Sequence, residues 1–523
     1  MKHKLLMLLL PFLLTSCSLQ DFFPKGSETT KQETSPVSSP VTEEEKTESF
    51  VTVDTSSEEE NKPEIITVFS INDLHGSIKE YSYQKELGLA KLEYAIKHDI
   101  DYDPETSIII SCGDSWQGGY LSHEEKTITD SLLSKMGVEC MVLGNHEFDW
   151  GLETIRNLRE QSPFPYLACN IKDPYGGSVH DLSDSSTIIE KKGAKIGIIG
   201  AMGPNEESSI STSALENYTF SEDLNLIQAE VTKLNNAGCD LVILGAHDSV
   251  KNSDYLDQVG NRFSTSDIQG IFGAHDHKFI VDTAGSHSIP FAEGGSNSKG
   301  YCKMTFSLKT KKALEVKMVK DAYSKYHSID DSLLNQEIVN TITDKSVEYS
   351  SDTKLCEFVG DFNTYAEMNR FVPMMMLTAM ENYGWKKTNK IMALHNLAGI
   401  RSSLPSGDIT RELLFKVSPF DNALKVIQNV PGSQLSNVLG TIEDNHKSGY
   451  YAYMVEDDLS FNASITYDVI TIDYVSEGSY WKRNLGSLPQ KNLGPNNERK
   501  NIFPTMVETL EGMNTPTFYA TDF

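Results

Sequence analysis

Five short polar segments of the sequence carry side chains that are suited to binding metal ions. In chain order these segments are Asp73-Leu74-His75, Gly113-Asp114, Gly144-Asn145-His146-Glu147-Phe148-Asp149, His247 and His275-Asp276-His277. Two divalent ions held about 3.5 to 4 Å apart need a bridging carboxylate, with histidines and an amide completing each shell. We predict that Asp114 is the bridge. The other predicted ligands are Asp73, His75 and His277 for one ion, and Asn145, His247 and His275 for the other.

Each polar segment follows a short apolar run that is typical of a buried strand. The runs in this part of the chain are Ile65 to Ile71, Ile108 to Cys112, Met141 to Leu143, Ile196 to Ile199, Leu241 to Leu244 and Ile268 to Phe272. Between them, Leu87 to His98 and Leu224 to Ala237 have the apolar spacing of helices. This alternation predicts an α/β layered domain, in which the loops at the strand ends converge on one crevice.

The first 17 residues have the order of a secretion signal, with Lys2 and Lys4, an apolar run and then small residues before Cys17. The apolar run is too short to span a bilayer as a helix. Leu14-Thr15-Ser16-Cys17 resembles the bacterial lipoprotein box. This resemblance implies export, acylation of Cys17 and anchoring to the outer side of the cell membrane. The alternative is an ordinary signal peptide with an incidental cysteine.

Beyond the signal, the composition predicts a tether and two domains. Residues 18–62 hold eleven acidic residues and only four Lys, with fifteen Ser or Thr, so this segment cannot bury enough apolar surface to fold. We predict a catalytic domain over 63–327, a connector helix over 328–355 and a second domain over 356–523. The six cysteines after Cys17 form no CxxC pair and are predicted to be buried free thiols, with disulfides as the alternative that an even number in an exported protein permits.

The net charge of the chain is −28, which disfavours binding to a nucleic-acid polymer. Such polymers attract clustered Lys and Arg through their phosphates. If the protein acts on a phosphate, positive charge has to come from another source. Bound divalent cations provide it, because they can be the largest local charges in a site.

Three blocks resemble the signatures of the 5'-nucleotidases of the calcineurin-like metallophosphoesterase superfamily. They are Asn72-Asp73-Leu74-His75-Gly76, Gly113-Asp114 and Gly144-Asn145-His146-Glu147-Phe148-Asp149. The resemblance implies a layered β-sandwich flanked by helices, followed by a smaller α+β substrate-binding domain. It also implies two divalent ions, zinc, manganese or similar, and in-line attack of a metal-bound hydroxide on phosphorus.

The resemblance gives a role to His146 and Asp149. In the family, a carboxylate three positions after this histidine orients the ring and favours its charged form. His146 is therefore implied to stabilise the transition state or to protonate the leaving group. The alternative is that both residues only brace the loop.

The C-terminal region resembles the substrate-binding domain of the same family. The matching segments are Asn396-Leu397-Ala398-Gly399-Ile400-Arg401, Gly407-Asp408-Ile409-Thr410 and Pro419-Phe420-Asp421-Asn422. By this correspondence Arg401 contacts the phosphate, and Asn396 belongs to the same binding segment. Phe420 stacks on one face of the base with Asn422 at its edge, unless Phe420 is a core aromatic.

Two further residues are candidates for substrate binding. The family usually has a Phe followed by a Gly-Gly-Asp-Gly run where this chain has Asp473-Tyr474-Val475-Ser476-Glu477-Gly478. Tyr474 is expected to replace the second stacking ring. Arg370, in Asn369-Arg370-Phe371-Val372, is expected to be a further phosphate-facing arginine.

The resemblance implies release of phosphate from extracellular nucleotides, with nucleoside 5'-monophosphates expected first and UDP-sugars or other nucleotides as further substrates. One rival is a 2',3'-cyclic-nucleotide 2'-phosphodiesterase with 3'-nucleotidase activity, which uses the same metal core. Another is a non-catalytic nucleotide-binding surface lipoprotein. The presence of every predicted metal ligand, and of His146 with Asp149, counts against this second rival.

Overall fold

The computed structural model describes residues 62–210, 212–251, 254–439, 451–456, 461–486 and 488–523. Cys17, the predicted signal and all of the predicted tether except Lys62 lie outside the described residues. The described chain belongs to one compact unit, Lys62–Phe523. Among its described helices, none has both the length and the apolar character needed to cross a membrane.

The N-terminal part of this unit is built on two six-stranded sheets. Its described strands are β1 (Ile65–Ile71), β2 (Ser107–Ser111), β3 (Val138–Val142), β4 (Tyr166–Leu167), β5 (Ile171–Lys172), β6 (Ser186–Lys191), β7 (Ala194–Met202), β8 (Thr219–Phe220), β9 (Leu241–His247), β10 (Gly270–Gly273), β11 (Phe279–Ala284), β12 (Ile289–Gly294), β13 (Tyr301–Ser307) and β14 (Lys312–Val319). The first sheet has the order β14-β13-β1-β2-β3-β4 and the second has the order β11-β12-β10-β9-β7-β6. β1 to β4 are parallel, and so are β7, β9, β10 and β12.

Helices lie in most of the crossover connections between parallel strands, whereas β10 and β12 are connected through strand β11. The described helices are α1 (Gly88–Lys97), α2 (Tyr120–Glu124), α3 (Ile128–Met136), α4 (Leu152–Gln161), α5 (Thr212–Leu215), α6 (Asn225–Asn236), α7 (Asp254–Arg262), α8 (Ala322–Tyr326), α9 (Gln336–Glu348), α10 (Met368–Asn382), α11 (Arg411–Val417), α12 (Gly432–Leu439), α13 (Asp473–Ser476), α14 (Ser479–Leu485) and α15 (Ile502–Gly512). In α6, Ile227, Val231 and Leu234 form one buried stripe against the second sheet.

The two large sheets share a buried core, so this part of the chain is a β-sandwich. Ile66 and Val68 of β1 belong to the same buried cluster as Ile196 and Ile198 of β7. Phe69, next to Val68, belongs to the cluster on the opposite face of its sheet. This alternation follows from the two-residue period of a strand, which sends successive side chains to opposite faces.

The C-terminal part is a smaller α+β region. Its described strands are β15 (Lys354–Val359), β16 (Lys390–Asn396), β17 (Gly407–Thr410), β18 (Leu424–Pro431), β19 (Tyr451–Val455), β20 (Thr466–Ile472), β21 (Gln490–Asn492) and β22 (Thr517–Tyr519). They form a five-stranded sheet, β19-β16-β20-β18-β21, and a three-stranded sheet, β17-β15-β22. Helix α9 lies within the segment 328–355, which was predicted to be a connector helix.

The fold class predicted from the sequence is confirmed: a helix-flanked sandwich precedes a smaller α+β region. The predicted strand at Ile65 to Ile71 coincides with β1. All six described cysteines are buried free thiols, in agreement with the sequence prediction.

Candidate metal centre and substrate cleft

Five strands bring the predicted metal ligands to one edge of the sandwich. These ligands are Asp73 and His75 after β1, Asp114 after β2, Asn145 after β3, His247 at the end of β9, and His275 and His277 after β10. The contributing strands of each sheet run parallel, so their carboxyl ends lie at the same edge. The sequence prediction that these segments meet therefore agrees with the arrangement of the strands.

The backbone at most of these ligands has an uncommon conformation. Asp73, His75, Asp114, His275 and His277 all have φ between 47° and 77°. This left-handed region is seldom populated by residues other than glycine. Such conformations cost about 1 to 3 kcal/mol each and cluster at functional sites, where the surrounding structure holds them.

One group of ligand atoms comes from Asp73, His75, Asp114 and His277, and these atoms all lie within 4.8 Å of one another. His75 Nε2 lies 2.9 Å from His277 Nε2. His277 Nε2 lies 3.7 Å from Asp73 Oδ1, and His75 Nε2 lies 3.9 Å from Asp114 Oδ2. Two carboxylates and two imidazoles converging in this way suit a divalent transition-metal ion.

A second group of ligand atoms comes from Asp114, His247 and His275. Asn145 joins them, because its Oδ1 lies 3.1 Å from His247 Nε2 and 3.0 Å from His275 Nδ1. Asp114 Oδ2 lies 3.3 Å from His247 Nε2. Asp114 belongs to both groups, which is the position of a bridging carboxylate between two ions.

The far side of each of three histidine rings is held by another group of the protein. His75 Nδ1 lies 3.1 Å from the carbonyl oxygen of Gln117, and His247 Nδ1 lies 2.8 Å from that of Cys112. His275 Nε2 lies 2.8 Å from Glu206 Oε2, which leaves Nδ1 to face the second ligand group. Such contacts fix the orientation of a metal-binding imidazole.

The charge balance of the site also fits bound cations. Asp73, Asp114 and Glu147 are all buried. Burial raises the pKa of Asp73 to about 6. Burial, followed by the charge of Asp114, raises the pKa of Glu147 to about 7. Crowded carboxylates with little water need compensating positive charge, which divalent ions provide.

Glu147 ties together the loops that carry two of the ligands. Its carboxylate accepts hydrogen bonds from the backbone N–H groups of Asp114 at 2.8 Å, Ser115 at 2.7 Å and Gly144 at 2.7 Å. A side chain on Gly144 would not fit, because its Cβ would lie 2.3 Å from Asp114 Oδ1. The loops after β2 and β3 are therefore held close together by the carboxylate of Glu147.

His146 and Asp149 form a hydrogen-bonded pair beside the first ligand group. His146 Nδ1 lies 2.6 Å from Asp149 Oδ2, and the ring centroids of His146 and His75 are 5.2 Å apart. Burial lowers the pKa of His146 most strongly, but the charges of Asp149 and Asp114 outweigh burial and raise it. A charged imidazole in this position is suited to donating a proton or a hydrogen bond to a leaving oxygen.

A cleft of about 420 Å³ separates the metal ligands from the C-terminal region. Its walls include His75, His146 and His277 on one side, and Arg401 and Phe420 on the other. The guanidinium carbon of Arg401 is 5.8 Å from the centre of the Phe420 ring. The Phe420 ring centroid is 5.9 Å from that of His146. A cation suited to phosphate and a half-buried aromatic ring therefore border the same space as the metal ligands.

Four predicted substrate residues are not among the residues described as lining this cleft: Asn396, Asn422, Tyr474 and Arg370. Tyr474 lies in α13 and is 48% exposed. Asn396 precedes Leu397 and Ala398, which do line the cleft. The structure does not bring Arg370 to the site, because α10 directs its guanidinium to the carbonyl oxygen of Phe523.

Several residues at the site were not identified from the sequence. Gln117, Glu86 and Lys416 line the cleft, and Lys416 Nζ donates to Glu86 Oε2 at 2.8 Å in a buried ion pair. Glu206 was missed because its contact with His275 joins segments that no local pattern connects. Glu147 lies inside the block Gly144-Asn145-His146-Glu147-Phe148-Asp149, but the sequence alone assigned it no role.

Comparisons with known proteins agree with this two-part arrangement. Residues 66–279 match the family model of the calcineurin-like phosphoesterases, and residues 345–473 match the 5'-nucleotidase C-terminal domain. The 5'-nucleotidase of Bos taurus is 24% identical over 72% of this chain and 71% of its own length. The endonuclease YhcR of Bacillus subtilis is also 24% identical over 72% of the chain, which spans only 33% of that protein. A 5'-nucleotidase precursor of Thermus thermophilus shares the fold, with a TM-score of 0.66 and 16% identity over 86% of this chain and 97% of that one.

Proposed function

We infer the reaction of this chain from its family: the chain belongs to the 5'-nucleotidase family of calcineurin-like phosphoesterases and is a metal-dependent phosphoester hydrolase. Calcineurin-like phosphoesterases use a centre of two divalent metal ions. On this premise we propose that the chain releases phosphate from nucleotides, with nucleoside 5'-monophosphates as the preferred class. The observation that carries the proposal is the single cleft bordered by His146, Arg401 and Phe420.

The proposed roles of the residues follow from their chemistry. Asp73, His75, Asp114 and His277 would hold one ion, and Asp114, Asn145, His247 and His275 the other. When bound, the two ions neutralise charge on the phosphoryl group and lower the pKa of water.

The other side chains of the cleft act on the substrate directly. Arg401 binds phosphate oxygens through its planar guanidinium, and Phe420 stacks on the base. His146, kept charged by Asp149, donates a proton or a hydrogen bond to the leaving oxygen. The substrate is then held across the cleft, between residues of both domains.

The alternative reaction is that of a 2',3'-cyclic-nucleotide phosphodiesterase, which would need the same metal ligands. The position of Tyr474 outside the cleft lining leaves one expected base contact without support.

The proposal is tested by product analysis with a panel of nucleotides. Metal-stripped protein would be incubated with 5'-AMP, 3'-AMP, 2',3'-cyclic AMP and a UDP-sugar, with zinc, manganese or no added metal. We expect metal-dependent phosphate release that is fastest with 5'-AMP. Faster turnover of the cyclic nucleotide would replace the proposed substrate class, and turnover without metal would reject the mechanism.

We further propose that the protein is exported and anchored to the membrane through an acylated Cys17, with the segment 18–62 as the tether. The proposal is supported by the resemblance of Leu14-Thr15-Ser16-Cys17 to a lipoprotein box. A nucleotide that cannot cross a membrane would then be hydrolysed outside the cytoplasm.

A further inference from the structure

The loop that carries Phe420 is held by the N-terminal domain on both sides of that residue. Before Phe420, the carbonyl oxygen of Pro419 accepts a hydrogen bond from Gln117 Nε2. After Phe420, the carboxylate of Asp421 accepts a hydrogen bond from His123 Nε2, with distances of 3.0 and 3.1 Å to its two oxygens. Two side chains six residues apart in the N-terminal domain therefore contact the two neighbours of Phe420.

Gln117 connects this loop to the metal-binding side of the cleft. Its side chain is buried, and its Oε1 accepts a hydrogen bond of 2.6 Å from Trp150 Nε1. Trp150 ends the 3-10 helix that contains His146 and Asp149. The backbone carbonyl of Gln117 lies 3.1 Å from His75 Nδ1. Gln117 thus contacts the substrate loop and the His146 helix through its side-chain amide and a predicted metal ligand through its backbone carbonyl.

His123 provides the second contact from helix α2. Its ring centroid is 5.1 Å from that of Phe415 and 6.3 Å from that of Trp150, so the ring is packed between the two domains. The side chain of His123 is only 20% exposed. Its direction, and hence the direction of its hydrogen bond to Asp421, is set by this packing.

Within the C-terminal domain, Asp421 has its own supports. Arg499 Nη2 donates to the carbonyl oxygen of Asp421 at 2.7 Å, and Asn501 Nδ2 donates to Asp421 Oδ1 at 3.3 Å. These bonds fix the loop relative to its own domain. The hydrogen bonds from Gln117 and His123 therefore position the loop relative to the metal-binding domain.

We propose that Gln117 and His123 are positioning residues that fix the Phe420 ring over the cleft and thereby set how strongly a nucleobase is recognised. The inference rests on the proposed nucleotidase function. Phe420 lies 5.9 Å from His146 between ring centroids, and its two chain neighbours are the residues that are held. A ring that is already held in position loses little conformational entropy when a nucleobase binds. More of the stacking free energy is therefore available to stabilise the bound nucleotide in the transition state.

The test is a double-mutant cycle between His123→Phe and Phe420→Ala in the metal-loaded enzyme. His123→Phe keeps a ring between Phe415 and Trp150 but removes the donor to Asp421. We expect kcat/KM for 5'-AMP to fall about 2- to 5-fold, the upper part of the range for a partly exposed ion pair. Hydrolysis of a simple alkyl phosphate should stay within about twofold. His123→Gln, which retains a donor, should recover part of the loss.

The cycle separates positioning from general damage. In the Phe420→Ala background, His123→Phe should cause no further loss on 5'-AMP, because the ring that it positions is absent. Additive losses, equal losses on both substrates or an unchanged rate on 5'-AMP would each overturn the positioning role. Failure of the proposed function itself would appear differently, as a Phe420→Ala single variant that hydrolyses 5'-AMP at the wild-type rate.

Gln117→Glu is the second variant. It keeps an acceptor for Trp150 Nε1 but places a carboxylate oxygen against the carbonyl of Pro419. We expect a larger loss on 5'-AMP than on the alkyl phosphate, with bound metal unchanged by elemental analysis. Loss of metal with equal loss on both substrates would show that Gln117 acts on His75 instead, which contradicts its proposed role.

Discussion

Asp114 is the side chain on which both halves of the metal centre depend. Its carboxylate is buried, belongs to both ligand groups, and also accepts a hydrogen bond of 2.8 Å from the backbone N–H of His146. Asp114→Asn keeps an oxygen for that hydrogen bond but removes the charge shared by the two ions. We expect phosphate release to fall by about 100-fold or more with a small change in Tm, measured by phosphate assay and calorimetry.

A matched control is Asp130→Asn in the same domain. Asp130 is also buried, but its partners are Trp116 and Tyr166 instead of the metal ligands. Burial raises its pKa to about 6, so a neutral amide is a mild replacement. Activity of the Asp130 variant should persist. An Asp114 variant that retains both metal content and turnover would contradict the bridging role.

At the scale of secondary-structure elements, the sequence predicts those features that depend on short local patterns of apolar and polar residues. The run from Ile65 to Ile71 has the composition of a buried strand, and β1 spans the same residues, so the position of Asp73 after that strand could be predicted. The contact of Glu206 with His275 could not, because it depends on how two loops distant in sequence fold together. The prediction that Arg370 faces the phosphate does not agree with the structure for the same reason. The direction of a side chain on a helix depends on how that helix packs against other elements, and α10 directs Arg370 to the carbonyl oxygen of Phe523.

The contact between helix α2 and the Phe420 loop should depend on pH. Burial alone would lower the pKa of His123, but hydrogen bonds to Asp421 and Glu124 outweigh burial and Lys126 and raise it from 6.5 to about 9. Because the folded-state pKa of His123 is higher than its unfolded value, protonated His123 contributes its full share of stability below about pH 6.5, and this share is lost as the pH rises through about 9. Burial of Asp421 is likewise outweighed by His123, so its pKa is lowered and the contribution also disappears in acid.

Calorimetry of the wild type and of His123→Phe measures this dependence. The wild type should have the higher Tm near pH 6, and the difference should vanish near pH 10. Taking the difference between the two proteins removes the titration of the groups that do not interact with His123. A Tm difference that grows from pH 6 to pH 10 would show that the pair is not held by charge.

At the scale of the whole molecule, the N-terminal segment and the folded unit are expected to act separately. If Cys17 is acylated, Cys17→Ser should move the protein from the membrane to the soluble fraction with kcat/KM unchanged, because the tether separates the lipid from the cleft. Fractionation followed by phosphate assay of both fractions measures this. Membrane association that persists in the variant would reject anchoring through Cys17.

The two domains contribute different parts of one site. The sandwich supplies the metal ligands and His146, while the C-terminal domain supplies Arg401 and Phe420 across a cleft of about 420 Å³. The buried ion pair between Glu86 and Lys416 joins the same two domains beside that cleft. Substrate recognition and phosphate chemistry should therefore be separable by mutation, which is the central claim of this account.

The most direct test of that claim is kcat/KM of the wild type and of Phe420→Ala on 5'-AMP and on a simple alkyl phosphate under saturating metal. Loss of a stacking interaction of about 1 to 3 kcal/mol corresponds to a fall of roughly 5- to 150-fold on 5'-AMP. The alkyl phosphate has no base to stack and should be hydrolysed at nearly the wild-type rate. Equal losses on both substrates, or no loss on 5'-AMP, would contradict the assignment of Phe420 to the nucleobase and with it the nucleotide specificity.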